Sequence, residues 1–334
     1  MATVLSGMRP TGRLHLGNYV GALESWIRNQ DRYRCYFMVA DLHALTTDLD
    51  TSAIAERTRD MVIDWLAVGL DPERSPIFVQ SQVPEHAELH LYFSMLISVA
   101  RLERNPTVKD QVRDLGLEET MSYGHLGYPV LQAADILLYK GDLVPVGEDQ
   151  APHVEITREI ARRFNNTFGP VFPEPQAELT SFGRFPGIDG QRMSKSVGNT
   201  LGLCDPPEEI RTRMRKAAID PARVRQDDPG HPEVCTVFKY HQRFSPADVV
   251  PVVERECRAG PRVRGCFDCK MEVADRIAVH FAAARDKRAE LEQRPERVDA
   301  VLADGNERAR ATAEETMRQV RAAMNLGGLG RGSS

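Results

Sequence analysis

Short apolar runs alternate with stretches of helical periodicity through the first half of this chain, and that alternation restricts its fold more than any other feature. Residues 3–5 read as a strand running into the Ser6-Gly7 turn. Residues 16–30 read as a helix with Leu16, Tyr19, Val20, Leu23 and Ile27 on one face. Residues 34–40 form a near-continuous apolar run, the pattern of a strand buried on both faces. A helix over 53–68 stops at Gly69, a third strand covers 77–80, a helix covers 88–102, and Pro106 opens another. Residues 128–139 are helical, 143–146 a fourth strand and 148–168 a long helix. This order predicts an α/β fold, a Rossmann-like, doubly wound parallel sheet with helices on both faces. Ligands bind such sheets at the carboxyl ends of the strands, where the strand order reverses. Segments 7–18, 41–47 and 147–150 each follow an expected strand and can meet in one cleft.

After about residue 186 strand signals fade, and helical runs broken by Pro and Gly take over. Ile210, Met214, Ala217 and Ala218 share one helical face, with Arg211, Arg215 and Lys216 opposite. The expected organisation is an α/β domain over 1–188, a Gly-flanked loop and all-α domain over 189–290, and a last helix over 291–326. The Gly/Ser-rich tail, 327–334, is expected to be disordered. With 42% hydrophobic and 27% charged residues among 334, the chain can bury a large core. Its net charge of −5 gives no global reason to bind nucleic acid, so any RNA contact must rest on local patches. No basic leader and no run of 18 apolar residues is present, so no membrane partner and a cytoplasmic location are expected.

Two segments far apart carry the chemistry. In the first, Gly7, Gly12 and Gly17 allow close backbone approach to phosphate, and a helix opening near Leu16 offers free N–H donors beside His15 and Asn18. In the second, Gly190 and Gly198 bracket Arg192, Met193, Ser194, Lys195 and Ser196, a loop able to close on a leaving pyrophosphate. Together they resemble the HIGH-type and KMSKS-type signatures of class I aminoacyl-tRNA synthetases.

The resemblance narrows at Ala133-Ala134-Asp135-Ile136-Leu137-Leu138-Tyr139 and Val144-Pro145-Val146-Gly147-Glu148-Asp149-Gln150. With Ser6-Gly7-Met8-Arg9-Pro10-Thr11-Gly12 and Gly17-Asn18-Tyr19-Val20-Gly21-Ala22-Leu23, these are similar to the bacterial tryptophanyl-tRNA synthetases over almost the whole chain. The resemblance implies a homodimer in which tryptophan's carboxylate attacks the α-phosphate of ATP with Mg²⁺ on the phosphates. It also implies transfer of tryptophan to the terminal adenosine of tRNA(Trp), and a helical domain that meets the anticodon. It assigns His15, Asn18, Arg192, Lys195 and Ser196 to catalysis, with Lys109 as a further pyrophosphate contact. Arg9, Pro10, Thr11, Gly12, Gly17, Gly147, Glu148, Asp149, Gln150, Met193 and Ser194 join them around ATP. Leu5, Gly7, His43, Tyr128, Gln132, Asp135, Val144, Val146 and Gln150 form the tryptophan site. Asp135 is the expected selector, because indole offers one N–H and no acceptor, which an acceptor-only carboxylate suits. Tyrosine can also donate, so pocket shape must exclude it.

Arg192 stands where the signature usually begins with Lys, and Leu5 and Gln132 where Phe and Met are expected. We take these departures as the basis of a hypothesis that the chain is an auxiliary or inhibitor-tolerant form. A tyrosyl-type relative and a regulatory paralogue that binds tryptophan without charging tRNA are the alternatives.

Of six cysteines, Cys235, Cys257, Cys266 and Cys269 fall close together and include one C-x-x-C pair. They resemble the set that some bacterial tryptophanyl synthetases use for a 4Fe–4S cluster; four thiolates also suit zinc, or can remain free thiols. Cys35 and Cys204 read as packing residues. His86 and His90, spaced i, i+4, lack the H-E-x-x-H order and a third ligand, so surface positions are expected. Arg211, Arg213, Arg215, Lys216, Arg223 and Arg225, and Arg308, Arg310, Arg318 and Arg321 on the last helix, are candidates for the tRNA backbone.

Overall fold

The computed structural model describes residues 1–334 except 118, 148–150, 180–184, 224, 226–227 and 327–334. Glu148, Asp149 and Gln150 of the expected site, and the expected disordered tail, therefore lie outside the described residues. Five parallel strands, β1 (Thr3–Met8), β2 (Arg34–Val39), β3 (Ile77–Val79), β4 (Leu143–Val146) and β5 (Gln176–Leu179), lie in the order β3-β2-β1-β4-β5. The order reverses between β1 and β4, which puts the expected ligand crevice at the ends of those two strands.

Composition explains the buried strands. Cys35, Tyr36, Phe37, Met38 and Val39 of β2 are all buried, as a central strand covered on both faces requires. Trp26, on the helical stretch after β1, stacks on Phe37 and meets Trp65 edge-on, anchoring one layer. The fifth strand is absent from the sequence expectation. Gln-Ala-Glu-Leu has no apolar run, and it forms by pairing with β4 at the sheet edge. The helix expected over 88–102 is two pieces, Glu85–Ser94 and Val99–Glu103.

Helices Pro207–Arg215, Thr236–Phe244, Val250–Arg258, Cys266–His280 and Ala282–Glu292 make up the second half. One apolar core runs from β1 and β2 into these helices, joining Val4, Phe37 and Trp65 to Met214, Phe238, Val273 and Leu291. The long helix Pro295–Ala323 returns to the sheet. Gly305 lies against the Ile77 backbone, where a Cβ would collide with the carbonyl oxygen. Asn306 Oδ1 accepts from the Val79 N–H at 2.9 Å. Among the described residues no helix is long and apolar enough to cross a membrane.

Candidate active site

A cleft of about 600 Å³ opens at the carboxyl ends of β1 and β4. Its walls include Leu5, Gly7, Arg9, His43, Tyr128, Gln132, Asp135, Val144, Val146, Gly147 and Arg192. The structure thus brings together every expected tryptophan-site residue that it describes. Tyr128, Gln132 and Asp135 come from one helix, Tyr123–Leu138, whose Ser122 cap accepts from the His125 N–H at 3.1 Å.

Asp135 is almost wholly buried, and three side chains hold it. Oδ1 accepts from Gln80 Nε2 at 2.7 Å and from His86 Nδ1 at 2.6 Å, and Oδ2 accepts from His43 Nε2 at 2.8 Å. Burial alone would push the carboxyl up. The hydrogen bonds from His43 and His86 outweigh it and hold the group well below the usual carboxylate range. Asp135 therefore sits in the cleft as an anion. His86 corrects the sequence reading: it is fully buried, not on the surface, and it serves a carboxylate, not a metal. Gln80 was also missed. The signal in each case was a polar residue on the buried side of a short element, and the partner, Asp135, is about fifty residues away. Asp41 braces the same corner by accepting from the Ser81 N–H (2.9 Å) and hydroxyl.

The phosphate-type segments meet beside this cleft. Leu16 N–H donates to Leu201 O at 2.9 Å and Leu203 N–H to Leu14 O at 3.1 Å, so the chain after the second segment pairs with the start of the first. The Gly17 N–H faces Met193 Sδ at 3.3 Å, and Lys195 Nζ donates to the Thr11 carbonyl. Gly12 takes φ +77°, a conformation L side chains avoid, in a turn with Lys195 Nζ 3.8 Å from where a Cβ would stand. Pro10 is buried beside it. His15 N–H donates to Asn18 Oδ1 at 3.0 Å, closing the first turn of the helix. Burial first, then the cations of Lys195 and Arg192, push His15 down to about 4, so it is neutral at neutral pH.

The second segment is held by Asn199, which the sequence reading did not single out. Asn199 Oδ1 accepts from Ser194 N–H at 2.7 Å, while Nδ2 donates to Asp189 Oδ1 and Arg192 O, each at 2.9 Å. Ser194 and Ser196 share a hydroxyl hydrogen bond of 2.9 Å. Lys109 is exposed and does not line the cleft; Gln111 and Asp114 of its helix do.

Away from this site, Cys235, Cys257, Cys266 and Cys269 line one small cavity with Asp220, Arg223 and Arg264. Arg223 donates to Cys266 Sγ at 3.0 Å. Among the described residues no three His, Cys, Asp or Glu side chains converge as a site for a single metal ion. Burial raises the thiols of Cys35 and Cys204 to about 12, consistent with packing roles. The basic candidates divide. Arg308 donates to Pro72 O (2.6 Å), Arg310 to Gln82 O, and Arg321 pairs with Glu88, so these three dock the last helix on the first half of the chain. Arg318 pairs with Glu315 (2.6 Å) on its own helix, and Arg211 with Asp275 (2.6 Å). Arg215 and Lys216 are exposed.

Residues 1–282 match the family model of class I tRNA synthetases (W and Y). A tryptophan–tRNA ligase of Thermotoga maritima is 49% identical over 325 residues, covering 97% of this chain and 99% of that protein. One from Treponema pallidum is 46% identical, covering 98% and 97%. The crystal structure of tryptophanyl-tRNA synthetase from Campylobacter jejuni complexed with ADP and tryptophan superposes with a TM-score of 0.86 at 31% identity, covering 97% of this chain and all of that one.

Proposed function

This chain belongs to the class I tRNA synthetases of the tryptophan and tyrosine branch, and from that premise we infer that it works as a tryptophan–tRNA ligase. It activates L-tryptophan with ATP, forming tryptophanyl-adenylate and pyrophosphate, and then charges tRNA(Trp). The observation that carries the choice of amino acid is Asp135, an anionic acceptor in the wall of the cleft. Activation needs no general base, because the substrate carboxylate is already ionised. Catalysis is then positioning plus stabilisation of charge on the phosphates. Arg192, Lys195, Ser194 and Ser196 are the mobile donors, and Gly12, Gly17 and the first turn after His15 are the fixed backbone cradle. Neutral His15 donates a hydrogen bond without adding charge. Mg²⁺ would ride on the triphosphate. Asp149 and Gln150 are read as contacts to ribose and substrate amine.

ATP–pyrophosphate exchange with tryptophan against tyrosine, followed by charging of tRNA(Trp), tests this reading. Exchange with tyrosine alone would favour the tyrosyl alternative; tight tryptophan binding without charging would revive the regulatory one. Gln132 beside the indole site supports the inhibitor-tolerant form, which ordinary sensitivity to an indole-based analogue would remove.

Three finer readings complete the proposal. The helical region over 189–290 meets the anticodon, with exposed Arg215 and Lys216 on the RNA side, and the protein works in the cytoplasm. For the dimer we propose that a second copy packs on the exposed apolar side chains Leu91, Met95 and Val99 of two successive helices. Substituting Met95→Glu would shift the mass in light scattering from dimer to monomer. Cys235, Cys257, Cys266 and Cys269, which line one small cavity with Arg223, would hold a 4Fe–4S cluster, and Arg223, already donating to Cys266 Sγ, would offset part of its negative charge. Anaerobic preparation with iron, sulfide and zinc analysis distinguishes cluster, zinc and free thiols. A metal-free, fully active protein would exclude a required metal.

A further inference from the structure

Asp135 is gripped before any substrate arrives. A carboxylate oxygen has two acceptor positions, and Oδ1 spends both, on Gln80 (2.7 Å) and His86 (2.6 Å). Oδ2 spends one on His43 (2.8 Å) and keeps one. Behind His86 stands the Tyr139 hydroxyl, 3.0 Å from Nε2. Tyr139 is buried, with its ring against Tyr36 (centroids 4.6 Å apart) and Phe78 (5.3 Å). Burial first, and Asp135 next, raise its pKa well above the ordinary value, so it stays an O–H donor. An O–H aimed at Nε2 leaves the proton of a neutral His86 on Nδ1, facing Asp135. Gln80 and His86 both donate to this one carboxylate, and Tyr139 reaches it through His86.

We propose that His86, held in its Nδ1–H form by Tyr139, is a positioning residue that leaves Asp135 a single open acceptor position, and so sets the preference for a substrate carrying a ring N–H. The inference rests on the tryptophan reading above and deepens it. With His86 gone, Oδ1 regains an open position and the carboxylate can rotate or take up water. The substrate N–H then gains less from reaching Oδ2, while apolar contacts from Leu5, Val144 and Val146 are untouched.

The test is pyrophosphate exchange by full-length wild type, His86→Leu, His86→Asn and Tyr139→Phe. Two substrates are compared: L-tryptophan and its benzothiophene analogue, in which sulfur replaces the N–H. Loss of a well-aimed hydrogen bond to a charged group predicts that His86→Leu lowers the tryptophan-to-analogue ratio of kcat/KM by about tenfold or more. The loss should fall on the tryptophan KM, with kcat within about twofold. His86→Asn, whose amide can stand near the Nδ1 position, should restore most of the ratio, and Tyr139→Phe should lower it by a smaller factor. Equal losses for both substrates would assign His86 to packing alone and overturn the proposal. If His86→Leu does not fold, an unchanged ratio in Tyr139→Phe overturns it instead. Absence of exchange with tryptophan in the wild type overturns the tryptophan reading itself, which is a separate failure.

Discussion

Arg288 offers a sharp test of how the two halves of the molecule are tied. Its guanidinium is almost fully buried and donates to Asp64 Oδ1 (2.6 Å), Asp60 Oδ1 (2.8 Å), Asp60 O (3.1 Å) and Glu292 Oε1 (2.9 Å). Asp64 is equally buried, and its other oxygen accepts the Leu14 N–H at 2.6 Å, one residue before His15. Substituting Arg288→Met fills the space but leaves Asp64 as a buried anion without its counter-ion. Breaking such a pair from one side costs about 3–5 kcal/mol, which in a chain of this size lowers Tm by on the order of 5–10 °C. Arg13–Glu292 supplies the control: that pair is solvent-exposed, and Arg13→Ala should move Tm hardly at all. The pH dependence follows from Asp64. Burial raises its pKa, against the pull of Arg288 and the Leu14 N–H. A carboxyl raised in the folded state contributes stability that is complete below its unfolded pKa, about 4, and lost as pH rises through the folded value. Removing Arg288 raises Asp64 further, so the gap between variant and wild type should be widest at neutral pH and narrow on acidification. Thermal melts of both proteins at pH 5 and 8 measure this. A drop under about 2 °C at pH 8, or a gap that does not narrow at pH 5, would refute the reasoning, because a buried pair of this kind gives about 3 kcal/mol or more when broken.

Three further outcomes are expected. Gly305→Val should undock the last helix from β3, because its side chain would meet the Ile77 carbonyl; faster proteolysis within residues 295–323 reports it. Asn199→Ala removes hydrogen bonds that staple Ser194, Arg192 and Asp189, so exchange kinetics should show a lower kcat or higher ATP KM, by about tenfold, with tryptophan binding by calorimetry unchanged. His15, depressed to about 4, takes up its proton less readily folded than unfolded; its share of stability is therefore lost as pH falls from about 6.5 toward 4, and His15→Gln should flatten that limb of the stability–pH curve measured by denaturant titration.

What could be read from the sequence was what local pattern encodes. β4 falls on residues 143–146 as expected, because apolar Leu143, Val144 and Val146 sit between Gly141-Asp142 and Gly147, a local signal that outweighs the Pro145 within it. The helix ending before Gly69, with φ +110° there, was legible for the same reason. What escaped was set by distant partners. β5 carries no apolar signal and owes its existence to β4. His86 looked like a surface residue because Glu85 and Glu88 flank it, and its burial is made favourable by two partners some fifty positions away, Asp135 and the Tyr139 hydroxyl. Arg308, Arg310 and Arg321 gave no sign of their structural partners, carbonyls and a carboxylate lying 236, 228 and 233 positions earlier in the chain. The cleft was legible because glycines and a lone acid in an apolar run are local marks; its bracing was not.

The seating of the last helix on β3 has a consequence for synthesis. β3 is an edge strand, and its Val79 N–H waits for Asn306, 227 residues later. At ribosomal speeds of about 5–20 residues per second that interval lasts roughly 11–45 s. Throughout it the nascent chain carries an apolar Ile-Phe-Val edge with open backbone donors, the kind of template on which neighbouring chains pair. The helix Pro295–Ala323 therefore covers this edge only late in synthesis, and truncations within it should fail by association, read as pelleting of the protein from cell extracts, before they fail in catalysis.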